Sequence, residues 1–272
     1  MKARIRLEGG EVITDLSRPI DIAIDLDFTK DQPRHFGAPA AAAHPLSVPG
    51  FSGSVAQGAG CNCNVITLIP HCNGTHTECV GHLTREPLDA HRQIPRGLIP
   101  ALLITVDPVS AHGALETTDP APQSGDQLIT RRALEHNWPT TLPFQPQAVV
   151  VRTRPNDGDK VRRDYSDSTP PYFSREAAEF LVARGIEHLV VDLPSIDRAH
   201  DEGRLTTHRV FFGLPRGSHS LDMVGRPRST VTELAFIPDE VMDGPYFLEL
   251  QVPAIGGDAV PSRPLLYLFE TL

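Results

Sequence analysis

Short apolar runs broken by glycine and proline dominate the chain, and few of them carry the period of a helix. Ile5 and Leu7, then Val12 and Ile13, flank Gly9-Gly10 and predict a hairpin turning at that pair. Ile20 to Leu26, Asn64 to Ile69, Thr230 to Phe236, Phe247 to Val252 and Leu265 to Phe269 predict further strands. Leu102 to Val106 and Val149 to Thr153 are continuous apolar runs rich in β-branched residues, as expected of strands buried on both faces. Two segments read as helices. Thr130 is placed to cap one from Arg131 to about His136, and Ser174 to cap another whose apolar stripe is Ala177, Ala178, Leu181 and Val182, with Gly185 as its stop. The strand from His188 to Asp192 follows at once, which makes an α-to-β unit.

Between these elements, residues 28–60 are rich in Pro, Gly, Ala and Ser and read as a long mobile loop, either a lid or a disordered insertion. Twenty-six Pro and 21 Gly in 272 residues fit a loop-rich chain. No internal repeat or linker divides it, so one α/β domain spanning 1–272, with a strand-rich mixed sheet and few helices, is expected.

Composition narrows the function by exclusion. With 40% hydrophobic and 22% charged residues the chain is of ordinary globular make-up, and its formal charge of −9, with no basic run, argues against nucleic acid as a partner. Neither a signal peptide nor a membrane span is evident. The four cysteines, confined to positions 61–79, form no secreted disulfide framework and point to a reducing cytoplasm. There is no Gly-x-Ser-x-Gly elbow for a serine hydrolase and no phosphate- or dinucleotide-binding glycine pattern.

The chemistry gathers between His71 and His82, His-Cys-Asn-Gly-Thr-His-Thr-Glu-Cys-Val-Gly-His. Three imidazoles, a carboxylate and two thiols fall within twelve residues. Such a density is costly to assemble unless a metal or a reaction needs it; the alternative is a polar loop that happens to be rich in histidine. Cys61 and Cys63 alternate along a strand and read as small core residues. His35, His44 and His91 read as loop histidines, with His35 or His44 able to enter a pocket from a lid. His188 reads as structural, and Asp192 and Asp197 as either site-lining or capping residues.

Gly74-Thr75-His76-x-Glu78-x3-His82 resembles the signature of the cyclase family of metal-dependent hydrolases, which includes bacterial kynurenine formamidase and isatin hydrolase. Further segments resemble that family in the same order: Asp15 to Ile20, Val191 to Asp197, His208 to Gly213, Thr232-Glu233-Leu234, and Gly256-Gly257-Asp258 with Pro261 to Arg263. Extra residues lie near 28–60, 112–127 and 214–229. The resemblance implies a swivelling β/β/α domain, a centre of one or two divalent ions, zinc or manganese, and a homo-oligomer. It implies metal ligands at His71, His76, Glu78, His208 and Glu233, with Glu78 able to bridge two ions and His82 beside them as the proton-transfer residue.

This chain departs from the family pattern at three points. His71 lies five residues before His76 rather than four, so either His71 binds through a bulged loop, the preferred reading, or Cys72 supplies a thiolate, which would favour zinc. Glu78 stands where the family has Asp. His219, in an extra segment, is the alternative to His208. The implied reaction is attack of metal-activated water on the carbonyl of a small amide, formamide or lactam, with His82 returning the proton to the leaving nitrogen. The rival reading is a metal-binding or assembly module without catalysis, which has no use for an unliganded His82.

Overall fold

A computed structural model describes residues 1–7 and 10–271; the turn predicted at Gly9-Gly10 lies partly outside the described residues, although the strands it joins, Lys2–Leu7 and Gly10–Asp15, pair antiparallel as expected. The centre of the fold is a nine-stranded mixed sheet. Four parallel strands form its middle: Ile99–Val106, Ala148–Thr153, His188–Val191 and Thr230–Glu233. The first three carry largely apolar runs because both faces are covered, whereas Thr230–Glu233, equally buried, is Thr-Val-Thr-Glu. Antiparallel strands extend the sheet each way, with Gly244–Gln251, Arg263–Tyr267 and Ile20–Asp21 on one side and His76–Cys79 with Ala259–Pro261 on the other.

One face packs on helices. Leu102, Ile104, Val149, Val151, Leu189 and Val191 meet Ala177, Phe180 and Leu181 of helix Arg175–Ala183 and Phe211 and Phe212 of helix Thr206–Phe212. The other face is covered by the curl of the sheet itself: Ala101, Leu103, Val150 and Val190 pack with Ile22, Ala235, Tyr246, Leu248 and Leu266. A bridge between Ala23 and Ala235 and a hydrogen bond from Phe236 N to Ile22 O draw the sheet's two flanks together. The described residues include four α-helices. Both predicted caps are present, with Thr130 Oγ1 accepting from Ala133 N at 3.1 Å and Ser174 Oγ from Ala177 N at 3.0 Å.

Several boundaries move. The strand expected over 20–26 stops at Asp21, because the chain turns at Asp21, whose side chain accepts from Ala23 N, and residues 24–31 line a surface groove. The segment 28–60 is built rather than structureless: Ala42–Pro45 pairs with Asn64–Thr67, and Ser47–Val48 with Phe51–Ser52. Cys61 and Cys63 sit exposed on this arm and contribute nothing to the core.

Candidate metal centre

The sheet order places the motif. His76–Cys79 is inserted between Thr230–Glu233 and Ala259–Pro261, so His76 lies opposite Glu233 in register, and Ala259 lies opposite Glu78. Two features of the motif make this possible. Gly74 has φ of 127°, a conformation that side chains rarely adopt. The Thr75 hydroxyl then ties three segments together, accepting from Ile24 N at 2.8 Å and donating to Leu234 O at 2.5 Å. Thr75 is thus the stitch that holds the motif in the sheet.

His71, His76, Glu78, His208 and Glu233 come together. His71 Nδ1 is 3.0 Å from Glu78 Oε2, and His208 Nε2 is 2.8 Å from Glu78 Oε1 and 3.5 Å from Glu233 Oε1. His76 Nε2 is 3.4 Å from Glu233 Oε2. Each imidazole is anchored by its other nitrogen: His71 Nε2 to Asp258 at 2.9 Å, His76 Nδ1 to Gly74 O at 3.0 Å, and His208 Nδ1 to Asp197 at 2.7 Å. Fixing the far nitrogen in this way turns the near lone pair toward a common point, the arrangement that metal-ligating histidines use.

Orphaned atoms make the same argument. His76 Nε2, His208 Nε2 and Glu78 Oε1 are buried with no hydrogen-bond partner. His208 Nε2 and Glu78 Oε1 are only 2.8 Å apart, yet their orientation is not that of a hydrogen bond. Such atoms are costly to bury unpaired and suited to converge on a cation. The donors fall into two sets that share Glu78, namely His71, His76 and Glu78, and Glu78, His208 and Glu233, in each of which the ligand atoms lie within 4.8 Å of one another. The residues therefore fit a divalent cation, with Glu78 able to serve two positions.

The electrostatics agree. Burial alone would raise both buried glutamates, but the charges of His82 and His208 hold Glu78 well below the usual carboxylate range, and the imidazoles of His208 and His76 close beside it hold Glu233 down at about 2. Burial also opposes charge on His71 and His208, and neighbouring carboxylates outweigh it: Asp258 and Glu78 push His71 up to about 10, and Glu78 and Asp197 raise His208 well above its ordinary value. The site asks for positive charge, which a metal would supply in place of protons.

The alternative ligands stay out. Cys72 is buried, and among the described residues its thiol belongs to neither set of donors gathered at the centre. His219 faces away, with its Nδ1 2.7 Å from Leu83 O. His82 is beside the ligands, its ring centroid 4.3 Å from that of His71 and 5.9 Å from that of His208, and its Nδ1 3.3 Å from Asp258 Oδ2. Among the other candidates, His44 is exposed, His188 is buried against Thr230, and Asp192 is paired with Lys160 at 2.7 Å. His35 is buried, with neither ring nitrogen partnered.

Asp197 and Asp258 complete the site; Asp197 is both of the things the sequence offered for it, a site-lining and a capping residue, while Asp258 was given no role. Asp197 accepts from Thr207 N at 2.8 Å and His208 N at 3.0 Å, capping the first turn of helix Thr206–Phe212, while holding the His208 ring. Asp258 lies 176 residues beyond His82, and its sequence signal is the family-like segment that the Gly256-Gly257 pair opens.

A cavity of about 630 Å³ opens over these groups, walled by Phe36, His82, Pro194, His200 and Leu205. The extra segment near 112–127 supports the wall, since Asp126 holds Arg198, which also donates to His200 O at 2.6 Å. Among the described residues, the non-glycine residues with positive φ are Phe36, Glu202, Leu205 and Leu234. The first three line this cavity and the fourth follows Glu233. Strained backbone of this kind costs about 1–3 kcal/mol per residue and concentrates where a site needs it.

A family model described as "Putative cyclase" matches residues 14–198. Solved structures share the fold at low identity. One described as a "predicted metal-dependent hydrolase" from Bacillus stearothermophilus is 17% identical, covering 92% of this chain and 98% of that one, with a TM-score of 0.56. Isatin hydrolase A from Labrenzia aggregata is 18% identical over 93% of this chain and 94% of that one, with a TM-score of 0.58. Isatin hydrolase A from Ralstonia solanacearum is 16% identical over 92% of each, also at 0.58. No curated protein matches.

Proposed function

This chain belongs to the cyclase family, and from that premise we propose that it is a metal-dependent hydrolase cleaving the C–N bond of a small amide, formamide or lactam. The observation that carries the proposal is the convergence of three anchored imidazoles and two glutamates, of which His71, His208, Glu78 and Glu233 line a cavity that also presents a fourth imidazole, His82, with His76 buried behind them.

His71, His76, Glu78, His208 and Glu233 would hold one or two divalent ions, zinc or manganese. Such an ion, when bound, makes water acidic near neutrality and polarises a carbonyl oxygen. The remaining work falls to the chain. His82, with Nδ1 turned to Asp258, presents Nε2 as a base that takes the proton from the attacking water. The same nitrogen returns it to the leaving amine, which departs poorly without one. Phe36, Pro194 and Leu205 supply apolar wall that excludes water from around the scissile bond. Kynurenine formamidase-type substrates and cyclic amides both fit a cavity of this size.

No helix among the described residues is long and apolar enough to cross a membrane, and a cytoplasmic protein acting on a small molecule is part of the same proposal. So is a homo-oligomer, which the exposed Val48, Phe51, Val55 and Ile66 of the projecting arm support. The test is a substrate panel of aryl formamides, anilides and fused lactams with the chain as purified. The proposal expects turnover of at least one class and its loss with the Glu78→Ala variant. Hydrolysis of none of them, in protein shown to carry metal, would favour the binding-module reading.

A further inference from the structure

We propose that Asp258 is a positioning residue that sets the tautomers of His71 and His82 together, and so links the metal centre to the proton-transfer group. Its Oδ2 atom lies 2.9 Å from His71 Nε2 and 3.3 Å from His82 Nδ1. An ionised carboxylate only accepts, so both nitrogens that face it carry protons. The lone pair of His71 is then at Nδ1, facing Glu78 Oε2 at 3.0 Å, where a ligand to the metal is needed. The lone pair of neutral His82 is at Nε2, where a base is needed. One oxygen thus dictates two different roles for two imidazoles whose centroids are 4.3 Å apart.

The chain goes to some length to hold this oxygen in place. Asp258 O accepts from Cys79 N at 3.0 Å, and Gly257 is fixed on both sides, accepting from Ala90 N at 2.8 Å and donating to Asp89 Oδ1 at 3.0 Å. Gly81, next to His82, leaves the space that Asp258 fills. A Cβ there would lie 3.2 Å from Asp258 Cβ and 2.6 Å from Leu88 O, closer than real Cβ atoms come to backbone. Gly81 therefore permits the close approach of Asp258 to the motif, while Gly256 packs against Asp89 and Gly257 takes the φ of 133° that the turn before Asp258 requires.

The role at His82 rests on the proposed hydrolase reading, and the test keeps the two apart. Zinc-loaded protein with ¹⁵N-labelled histidine would be compared by long-range ¹H–¹⁵N NMR for the native chain, Asp258→Ala and Asp258→Asn. The native chain should show His82 as the Nδ1–H tautomer. In Asp258→Ala nothing holds that proton, so a substantial Nε2–H population should appear. In parallel kcat should fall about 10–100-fold, the usual effect of losing an outer-shell partner, with a much smaller change in KM. Asp258→Asn keeps an acceptor oxygen and should restore both the tautomer and most of the turnover. An unchanged His82 tautomer in Asp258→Ala, or a changed tautomer with undiminished kcat, would overturn the proposal. Absence of any hydrolysis by the native chain would instead sink the hydrolase reading, and the NMR comparison would still decide whether Asp258 positions the rings.

Discussion

Replacing Asp197 by Ala should injure the protein twice, and the two injuries can be measured separately. The carboxylate accepts backbone N–H groups from Thr207 and His208 at the start of helix Thr206–Phe212, at 2.8 and 3.0 Å, and the His208 ring at 2.7 Å. Helix entry here has no ordinary side-chain cap, because the N-cap residue is Leu205, which has no side-chain acceptor and stands in the left-handed region at φ 47°. Losing a capping carboxylate costs roughly 0.5–2 kcal/mol. Leaving buried donors without their charged partner adds about 1–3 kcal/mol. A total of about 1.5–5 kcal/mol is large against a typical stability of about 5–15 kcal/mol, yet short of most of that range, so the variant should fold. Urea unfolding followed by circular dichroism, with chelator present throughout, measures this loss free of any metal contribution. The second injury is to the metal: His208 would be released from its tautomer and orientation, and affinity at the position shared with Glu233 should drop about 10–100-fold, read by competition with a chromophoric chelator. Unchanged stability would mean that the cap is dispensable. Full metal affinity despite the lost anchor would refute the argument that the ring's far nitrogen governs its near one.

Further outcomes follow from the same geometry. His82→Ala should retain metal at native stoichiometry and lose about 10²–10⁴-fold in turnover on an unactivated amide, with a smaller loss on activated anilides; loss of metal would make His82 a ligand. His71→Ala should lose metal while Cys72→Ser keeps it, as metal analysis of the two variants would show. His188, buried beside Thr230, is depressed to about 4 by burial and the charge of Arg226, so between pH 6.5 and 4 the unfolded chain binds the extra proton and stability falls with acidification. That shift is worth about 3 kcal/mol at its full extent, and His188→Gln should show a correspondingly shallower fall in urea-unfolding free energy from pH 7 to 4.5; an identical fall would remove His188 from the account.

The elements most legible in the sequence were those whose signal is local. Buried parallel strands announce themselves as unbroken apolar runs, and Thr130 and Ser174 cap helices through contacts three residues away. The motif residues from His71 to His82 were legible because they are contiguous, and Glu233 and His208 because short segments around them resemble the family. What could not be read was set by tertiary register. Whether His71 or Cys72 faces the centre depends on the short helical turn Pro70–Cys72, which buries the thiol and leaves the imidazole between Glu78 and Asp258. Asp258 lies in a family-like segment, but its role could not be read from it, since its place at the centre is fixed by Ala259–Pro261 adding to the edge of His76–Cys79. The exposed Cys61 and Cys63 were misplaced because they precede the strand, which begins at Asn64, and the arm that carries them is two short strand pairs outside the core.

The central claim is that the His71–Glu78–His208–Glu233 cluster holds a catalytic metal, and one measurement addresses it directly. The chain would be purified without added metal, its metal content determined by elemental analysis, and hydrolysis of the amide panel followed before chelation, after it, and on return of one ion at a time. One or two divalent ions per chain, loss of turnover with the circular dichroism spectrum intact, and recovery on titration to the same stoichiometry are the results expected. Full turnover by metal-free protein, or unfolding of the chain when the metal is withdrawn, would contradict it.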